Sequence, residues 1–279
     1  MRCLYCYERD KTSTYSWDEV KALIDNIVEH NRDGEFTVEY LGGEPMLAFD
    51  LIRKATSYLE EIAGVEVHSY DITTNGTIAH DELIAFMRWN PKVSFHASMD
   101  GTKFMNSLRI TKGGVNSHDL VMQNLDTLAA HGLAGRTSVH MVTHPYNVAY
   151  LARGVDHLYS QGIRCIGVGT VESTIRIGKE YCDRFVSELD AVSERIHQGH
   201  YPGLFVDVLH SLKPLSDTRH YIRDGSGKII AETYGRTRGD ITQTSVYNSA
   251  ATSSPIGDLI TDLRETVYHR HQARLKGVN

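Results

Sequence analysis

Phe36-Thr37-Val38-Glu39-Tyr40-Leu41-Gly42-Gly43-Glu44-Pro45 is the stretch that decides the fold. Phe36, Val38 and Tyr40 alternate with polar residues, the period of a strand. Two glycines and a proline then supply turn chemistry, glycine through its backbone freedom and proline through its fixed φ. Beyond the turn, Leu51, Ile52, Ala55, Leu59 and Ile62 share one helical face. Strand, tight turn and helix make one β/α unit, and the same unit recurs along the chain.

Before this unit, Ser16 and Glu19 form a capping box, and Trp17, Val20, Leu23, Ile24, Ile27 and Val28 line the helix it opens. After it the patterning predicts a strand near 66–73, a helix near 79–89, a strand near 92–98, and a helix near 117–131 carrying Leu120, Val121, Leu125 and Leu128. A strand around Val139 and Met141, a helix over 147–160, a last barrel strand from Ile163 to Val171 and a helix near 177–198 follow. Five strand–helix units behind a leading helix assemble most economically as parallel strands with right-handed crossovers. From Tyr201-Pro202-Gly203 the rhythm breaks. Asp224-Gly225-Ser226-Gly227 reads as a hairpin turn, and Ser253-Ser254-Pro255 leads into a final helix near 257–275 that ends strongly polar, with His269 and His271 in that end. The domain division expected is 1–199 and 200–279.

Composition narrows the function. The 279 residues are 41% hydrophobic and 23% charged, as in ordinary globular proteins. A net charge of −6 with scattered Lys and Arg leaves no basic footprint for nucleic acid. No apolar run reaches the length of a membrane span, and no apolar signal core opens the chain. Four cysteines in this length do not make a disulfide framework, which predicts a reduced, cytoplasmic protein.

Two of those cysteines carry the chemistry. In Met1-Arg2-Cys3-Leu4-Tyr5-Cys6-Tyr7, thiols three residues apart suit a zinc knuckle or a loop wrapped around an iron–sulfur cluster. Leu41-Gly42-Gly43-Glu44-Pro45, Thr73-Thr74-Asn75-Gly76 and Ser98-Met99-Asp100-Gly101 follow in order, each at the end of an expected strand. Together these segments resemble the radical S-adenosylmethionine (SAM) enzymes, within them the branch that modifies peptides and proteins and includes the anaerobic sulfatase-maturing enzymes. The resemblance spans about residues 1–175. The family loop reads C-x-x-x-C-x-x-C, often C-N-M-R-C-x-Y-C-Y, so the resemblance implies that the first cysteine lies two residues before Met1 and that the chain begins further upstream.

The resemblance implies a partial (β/α)6 barrel, here an α/β fold lacking its first strand, with a small α+β C-terminal extension like a cysteine-free SPASM-type region. It implies a [4Fe-4S] cluster on Cys3 and Cys6 with an open iron for SAM, one-electron cleavage to a 5′-deoxyadenosyl radical, and hydrogen abstraction from a side chain. Gly42, Gly43, Glu44 and Pro45 would form the SAM rim, with Glu44 toward the ammonium. Ser98 and, more weakly, Asp100 would hold ribose or carboxylate. Arg109 either pairs with the SAM carboxylate or is a solvated surface arginine. Tyr5 either approaches adenine or packs the loop, and Thr74 and Asn75 either line the rim or stabilise a turn. Glu172 and Gly167-Val168-Gly169 lie where the family contacts adenine, though close strand packing explains the glycines equally well. Cys165 reads as a buried, inert thiol. The partners implied are a peptide or protein substrate and a low-potential electron donor such as flavodoxin or ferredoxin. With one cluster cysteine missing, SAM cleavage by this chain is expected to be impaired. The alternatives are a catalytically degenerate scaffold, a radical SAM enzyme acting on a small molecule, and a zinc-binding α/β protein.

Overall fold

The computed structural model describes residues 1–6, 14–30, 35–62, 64–171, 177–211, 218–223, 229–235, 243–246 and 256–277. In chain order the elements are β1 (Arg2–Cys3), α1 (Trp17–His30), β2 (Glu35–Tyr40), α2 (Phe49–Glu61), β3 (Glu66–Thr74), α3 (Asp81–Trp89), β4 (Val93–Ser98), β5 (Arg109–Ile110), α4 (His118–Ala130), β6 (Thr137–Thr143), α5 (Leu151–Ser160), β7 (Cys165–Thr170), α6 (Lys179–His197), β8 (Phe205–Val206) and α7 (Asp207–His210). Three further strands, β9 (Thr218–Arg223), β10 (Ile229–Gly235) and β11 (Gln243–Val246), precede α8 (Ile256–Leu275). The capping box forms: Ser16 N donates to Glu19 Oε2 at 2.7 Å and Glu19 N to Ser16 Oγ at 3.3 Å.

One parallel sheet organises the molecule, in the order β2-β3-β4-β6-β7-β8. Sequence reading ended the strand series at β7. Instead Cys165 and Ile166 pair with Phe205 and Val206, so the chain itself supplies a sixth parallel strand at the edge away from β2. Two residues carry too little periodicity to be seen in a sequence. The extension folds as an antiparallel sheet in the order β11-β10-β9, and the Asp224–Gly227 turn lies outside the described residues.

Burial alternates along β4 and β7, along β3 from Ser69 and along β6 from Val139. Tyr70 and Ile72 of β3, Val93, Phe95 and Ala97 of β4, Val139 and Met141 of β6, and Ile166 and Val168 of β7 join the core beneath the helices. Parallel strands are usually apolar on both faces. Here the other face is polar and mostly half-buried, with Ser69, Asp71 and Thr73 on β3, His96 and Ser98 on β4, and His140 on β6. His96 sits between Asp71, 3.2 Å from its Nε2, and Ser138 Oγ, 2.5 Å from its Nδ1.

The last helix corrects one expectation. His269 is exposed, but His271 is wholly buried, its Nδ1 2.8 Å from Ser193 Oγ on α6. Burial, then the charges of His210, Arg274 and His197, push its pKa down to about 4. Arg270 reaches Asp190 at 2.6 Å and Arg264 reaches Asp207 at 3.2 Å, so α8 is fixed along α6 and α7 rather than trailing as a polar end.

Candidate functional site

Carboxyl ends of parallel strands are where ligands bind in α/β sheets, because the following loops converge there on exposed backbone groups. At the end of β2, the chain passes Gly42 and Gly43, both exposed, into a short 3-10 helix, Pro45–Ala48, capped by Glu44. Glu44 Oε1 accepts from Met46 N at 3.0 Å and from Thr74 Oγ1 at 2.6 Å, and Oε2 accepts from Asn75 N at 2.9 Å. One carboxylate thus ties the turn after β2 to the end of β3. Thr74 and Asn75 meet the rim and also build a turn: Gly76 N donates to Thr74 Oγ1, and Thr77 N to Asn75 Oδ1.

The same end of the sheet receives the cysteine loop. Cys3 pairs with Arg109 and Arg2 with Ile110 in the antiparallel β1–β5 ribbon, and Leu4 N donates to Leu108 O at 2.9 Å. Cys6 N returns to Cys3 O at 3.2 Å, closing a turn from which both cysteines remain partly exposed. Between them Tyr5 is buried, and its hydroxyl donates to Asp100 Oδ2 at 2.8 Å, two residues beyond β4. Burial first, and then the Asp100 carboxylate, hold its phenol pKa well above the usual value against the lowering effect of Arg109. Thr74 is the register partner of Ala97, next to the half-buried Ser98. Glu44, Thr74, Asn75, Ser98, Asp100, Tyr5 and the two thiols therefore gather at one end of the sheet.

Arg109 is not a solvated surface arginine. Its side chain is 7% exposed, and its Nε donates to Asp100 Oδ1 at 2.8 Å. Burial alone would lower its pKa; the Asp100 charge outweighs that and raises it. Its guanidinium carbon lies 5.3 Å from the Tyr5 ring centroid, a cation–π contact.

Two histidines escaped sequence reading. His144 follows β6 directly and is buried, its ring 5.7 Å from Tyr5; Tyr146 N donates to its Nδ1, and burial lowers its pKa. The signal was there in Thr143-His144-Pro145-Tyr146-Asn147, a strand end followed by turn residues, with Asn147 Oδ1 accepting from His144 N at 2.8 Å. His140 explains the glycines of β7. A Cβ at Gly167 would stand 2.6 Å from His140 Nδ1, and one at Gly169 2.8 Å from His140 Nε2, so the imidazole lies across the face of β7 that these two glycines leave bare. Close packing is what those glycines serve. Glu172 and Tyr7 lie outside the described residues. Cys165 is half-buried, and burial raises its thiol pKa.

Two partly exposed thiols in one turn fit iron–sulfur ligation, which soft sulfur ligands favour. Among the described residues no group of three or more His, Cys, Asp or Glu side chains is placed to hold a metal ion; Cys3 and Cys6 would supply two ligands of such a cluster.

A family model described as the radical SAM superfamily matches residues 1–158. An uncharacterized protein of Methanocaldococcus jannaschii, MJ0907, is 27% identical over 168 residues, which are 60% of this chain and 57% of that protein. Among solved structures, native anSMEcpe with bound AdoMet and Kp18Cys peptide superposes with a TM-score of 0.69 at 12% identity, over 99% of this chain and 80% of its own. Streptococcus suis SuiB bound to precursor peptide SuiA gives 0.57 at 16% identity, over 73% of this chain and 45% of its own. At these identities the solved structures speak to the fold alone, and the chain spans little more than half of its curated relative. Residues 1–158 are more than half of this chain, and it belongs to the radical SAM superfamily, whose cofactors are SAM and a [4Fe-4S] cluster.

Proposed function

We propose that this protein is a radical SAM enzyme acting on a side chain of a peptide or protein. The observation that carries the reading is that the Cys3–Cys6 turn, tied to Asp100, lies at the same carboxyl end of the sheet as Glu44, tied to Thr74, and Ser98. When bound, the cluster supplies one electron at low potential, and SAM supplies the 5′-deoxyadenosyl radical that takes a substrate hydrogen. The chain's own residues do the rest. Cys3 and Cys6 ligate iron. Glu44, its Oε2 bonded to one backbone amide, accepts from the SAM ammonium, while Gly42 and Gly43 leave room for the ligand. Ser98 offers a hydroxyl to ribose or carboxylate from the polar face of the sheet. Asp100 and Arg109 bond each other, so they serve SAM through the loop they hold.

A peptide substrate is favoured because anSMEcpe and SuiB, whose folds this chain shares, have been solved with peptides bound. Residues 1–199 would form the catalytic domain, with β8 of the following segment completing its sheet, and the rest of 200–279 the extension, and a flavodoxin or ferredoxin in a reducing cytoplasm would deliver the electron. No helix among the described residues is long and apolar enough to cross a membrane.

The test is anaerobic reconstitution of the chain together with any in-frame coding sequence upstream of Met1. Stoichiometric iron and sulfide, and 5′-deoxyadenosine formed from SAM under dithionite, are expected. Bound zinc without iron would end the reading. Iron without SAM cleavage would leave a scaffold that keeps the fold.

A further inference from the structure

The Cys3–Cys6 turn has little of its own to fix it. Its backbone contributes a two-residue ribbon with β5, the Leu4 N–Leu108 O bond and one turn bond, and short isolated ribbons are marginal in water. What closes the arrangement lies underneath. Asp100 is wholly buried, and its carboxylate accepts three hydrogen bonds from three parts of the chain: Tyr5 Oη at 2.8 Å, Arg109 Nε at 2.8 Å and Val142 N at 2.9 Å. Its own amide donates to Asn106 Oδ1 at 3.1 Å, and Asn106 Nδ2 donates in turn to Asn116 Oδ1 and Ser117 Oγ. Arg109 closes the circuit twice, since its backbone pairs with Cys3 while its side chain joins Asp100 and faces the Tyr5 ring.

We propose that Asp100 is the positioning residue of the cysteine loop, a latch that seats Cys3 and Cys6 over the ends of β4 and β6 before metal or SAM arrives. The inference rests on reading these cysteines as cluster ligands, and it adds that the protein sets their place in advance. A buried carboxylate can do this because an unpaired acceptor there is costly, so loop and latch open together or not at all. Tyr5 is the loop's handle. It stands between the thiols and spans the distance from the surface turn to the buried acid.

The latch is testable without a cluster. The full chain, stripped of metal by chelation and kept anaerobic, is pulsed with iodoacetamide, and alkylation of each cysteine is followed by peptide mass spectrometry. In Asp100→Asn, Cys3 and Cys6 are expected to react about tenfold faster, as local opening becomes easier, while Cys165 and Cys182 keep their rates. Unchanged rates at Cys3 and Cys6 in a folded variant would overturn the proposal. Should Asp100→Asn unfold the protein, all four cysteines accelerate, and Tyr5→Phe decides. That variant removes one hydroxyl and is expected to speed Cys3 and Cys6 alone; no change there also overturns the latch. Failure of the cluster assignment reads differently, as absence of iron after reconstitution with alkylation kinetics unaltered.

Discussion

Two turns in this protein have the same ingredients, an acid beside glycine just after a parallel strand, and they are built for opposite purposes. After β2, Gly42 and Gly43 are exposed and Glu44 is half-buried. A Cβ placed on Gly42 would meet nothing within 4 Å. After β4, Asp100 is wholly buried with every carboxylate bond made inside the protein. Gly101 has φ +101°, and a Cβ there would stand 2.8 Å from the Gly154 Cα and 3.1 Å from Met105 Sδ. The first turn leaves space beside an acid that is only half-buried, although it too accepts three bonds from the protein. The second spends its acid and its glycine on closing the structure. Residue type next to a strand end does not distinguish a binding turn from a holding turn; the surroundings of the glycine do.

The largest effect expected from this contrast is at Gly101. Gly101→Ala forces a non-glycine residue into positive φ and into backbone, a cost of about 3 kcal/mol. The melting temperature should fall by roughly 6–12 °C for a chain of this size. A fall of less than a few degrees would break the comparison, since the turn after β4 would then be as permissive as the one after β2. Acid denaturation compares the two turns fairly only once His271 is removed. In the unfolded chain its pKa is near 6.5, and in the folded protein about 4, so the unfolded state binds the extra proton between those values. The stability His271 contributes is complete above about pH 6.5 and is lost as pH falls toward 4. His271→Leu should flatten the stability profile across that window, measured by urea unfolding at pH 7, 5.5 and 4.5; an unchanged slope would mean the ring is hydrated.

How much of this was legible in the sequence depended on whether a signal was local. The apolar alternation of Phe36, Val38 and Tyr40 and the capping box at Ser16 are local, and the longer strands and helices up to α6 appear within a residue or two of where they are expected, except that α5 begins at Leu151 rather than 147. The gathering of Glu44, Thr74, Asn75 and Ser98 followed from order along the chain, because each closes its own strand. Asp100 and Arg109 were undervalued, since their partners Tyr5 and Val142 are 95 and 42 residues from Asp100 and no pattern within one segment encodes that pairing. His271 was misread for the same reason. A helix end rich in Arg, His and Gln looks solvated until Ser193, 78 residues away, comes to lie against it. The glycines of β7 were ambiguous because the residue they accommodate, His140, sits on the neighbouring strand.

Glu44→Gln sharpens the comparison at the other turn. The carboxylate accepts three hydrogen bonds, and an amide nitrogen in place of one oxygen confronts either Thr74 Oγ1 and Met46 N or Asn75 N. A cost of about 1 kcal/mol in stability is expected, because the site is half-exposed and water replaces part of what is lost. Binding of S-adenosylhomocysteine, measured by equilibrium dialysis on the reconstituted protein, should weaken by about tenfold through loss of the charge. Equal losses in stability and binding would place Glu44 among the holding residues with Asp100.

The smallest change in stability is expected at Gly42, and it discriminates best. Its backbone does not require positive φ, and the open space around its Cβ means that Gly42→Ala meets no atom of the described residues within 4 Å. Stability should therefore stay within about 0.5 kcal/mol of the parent, or rise slightly as the unfolded chain loses freedom. The added methyl does project into the volume where a ligand would press against the turn. S-adenosylhomocysteine binding should then fall several-fold at an unchanged melting temperature, a separation that Gly101→Ala cannot produce, since there fold and function fail together. A Gly42→Ala protein that binds as tightly as the parent would show that the space beside the glycines is surface and nothing more.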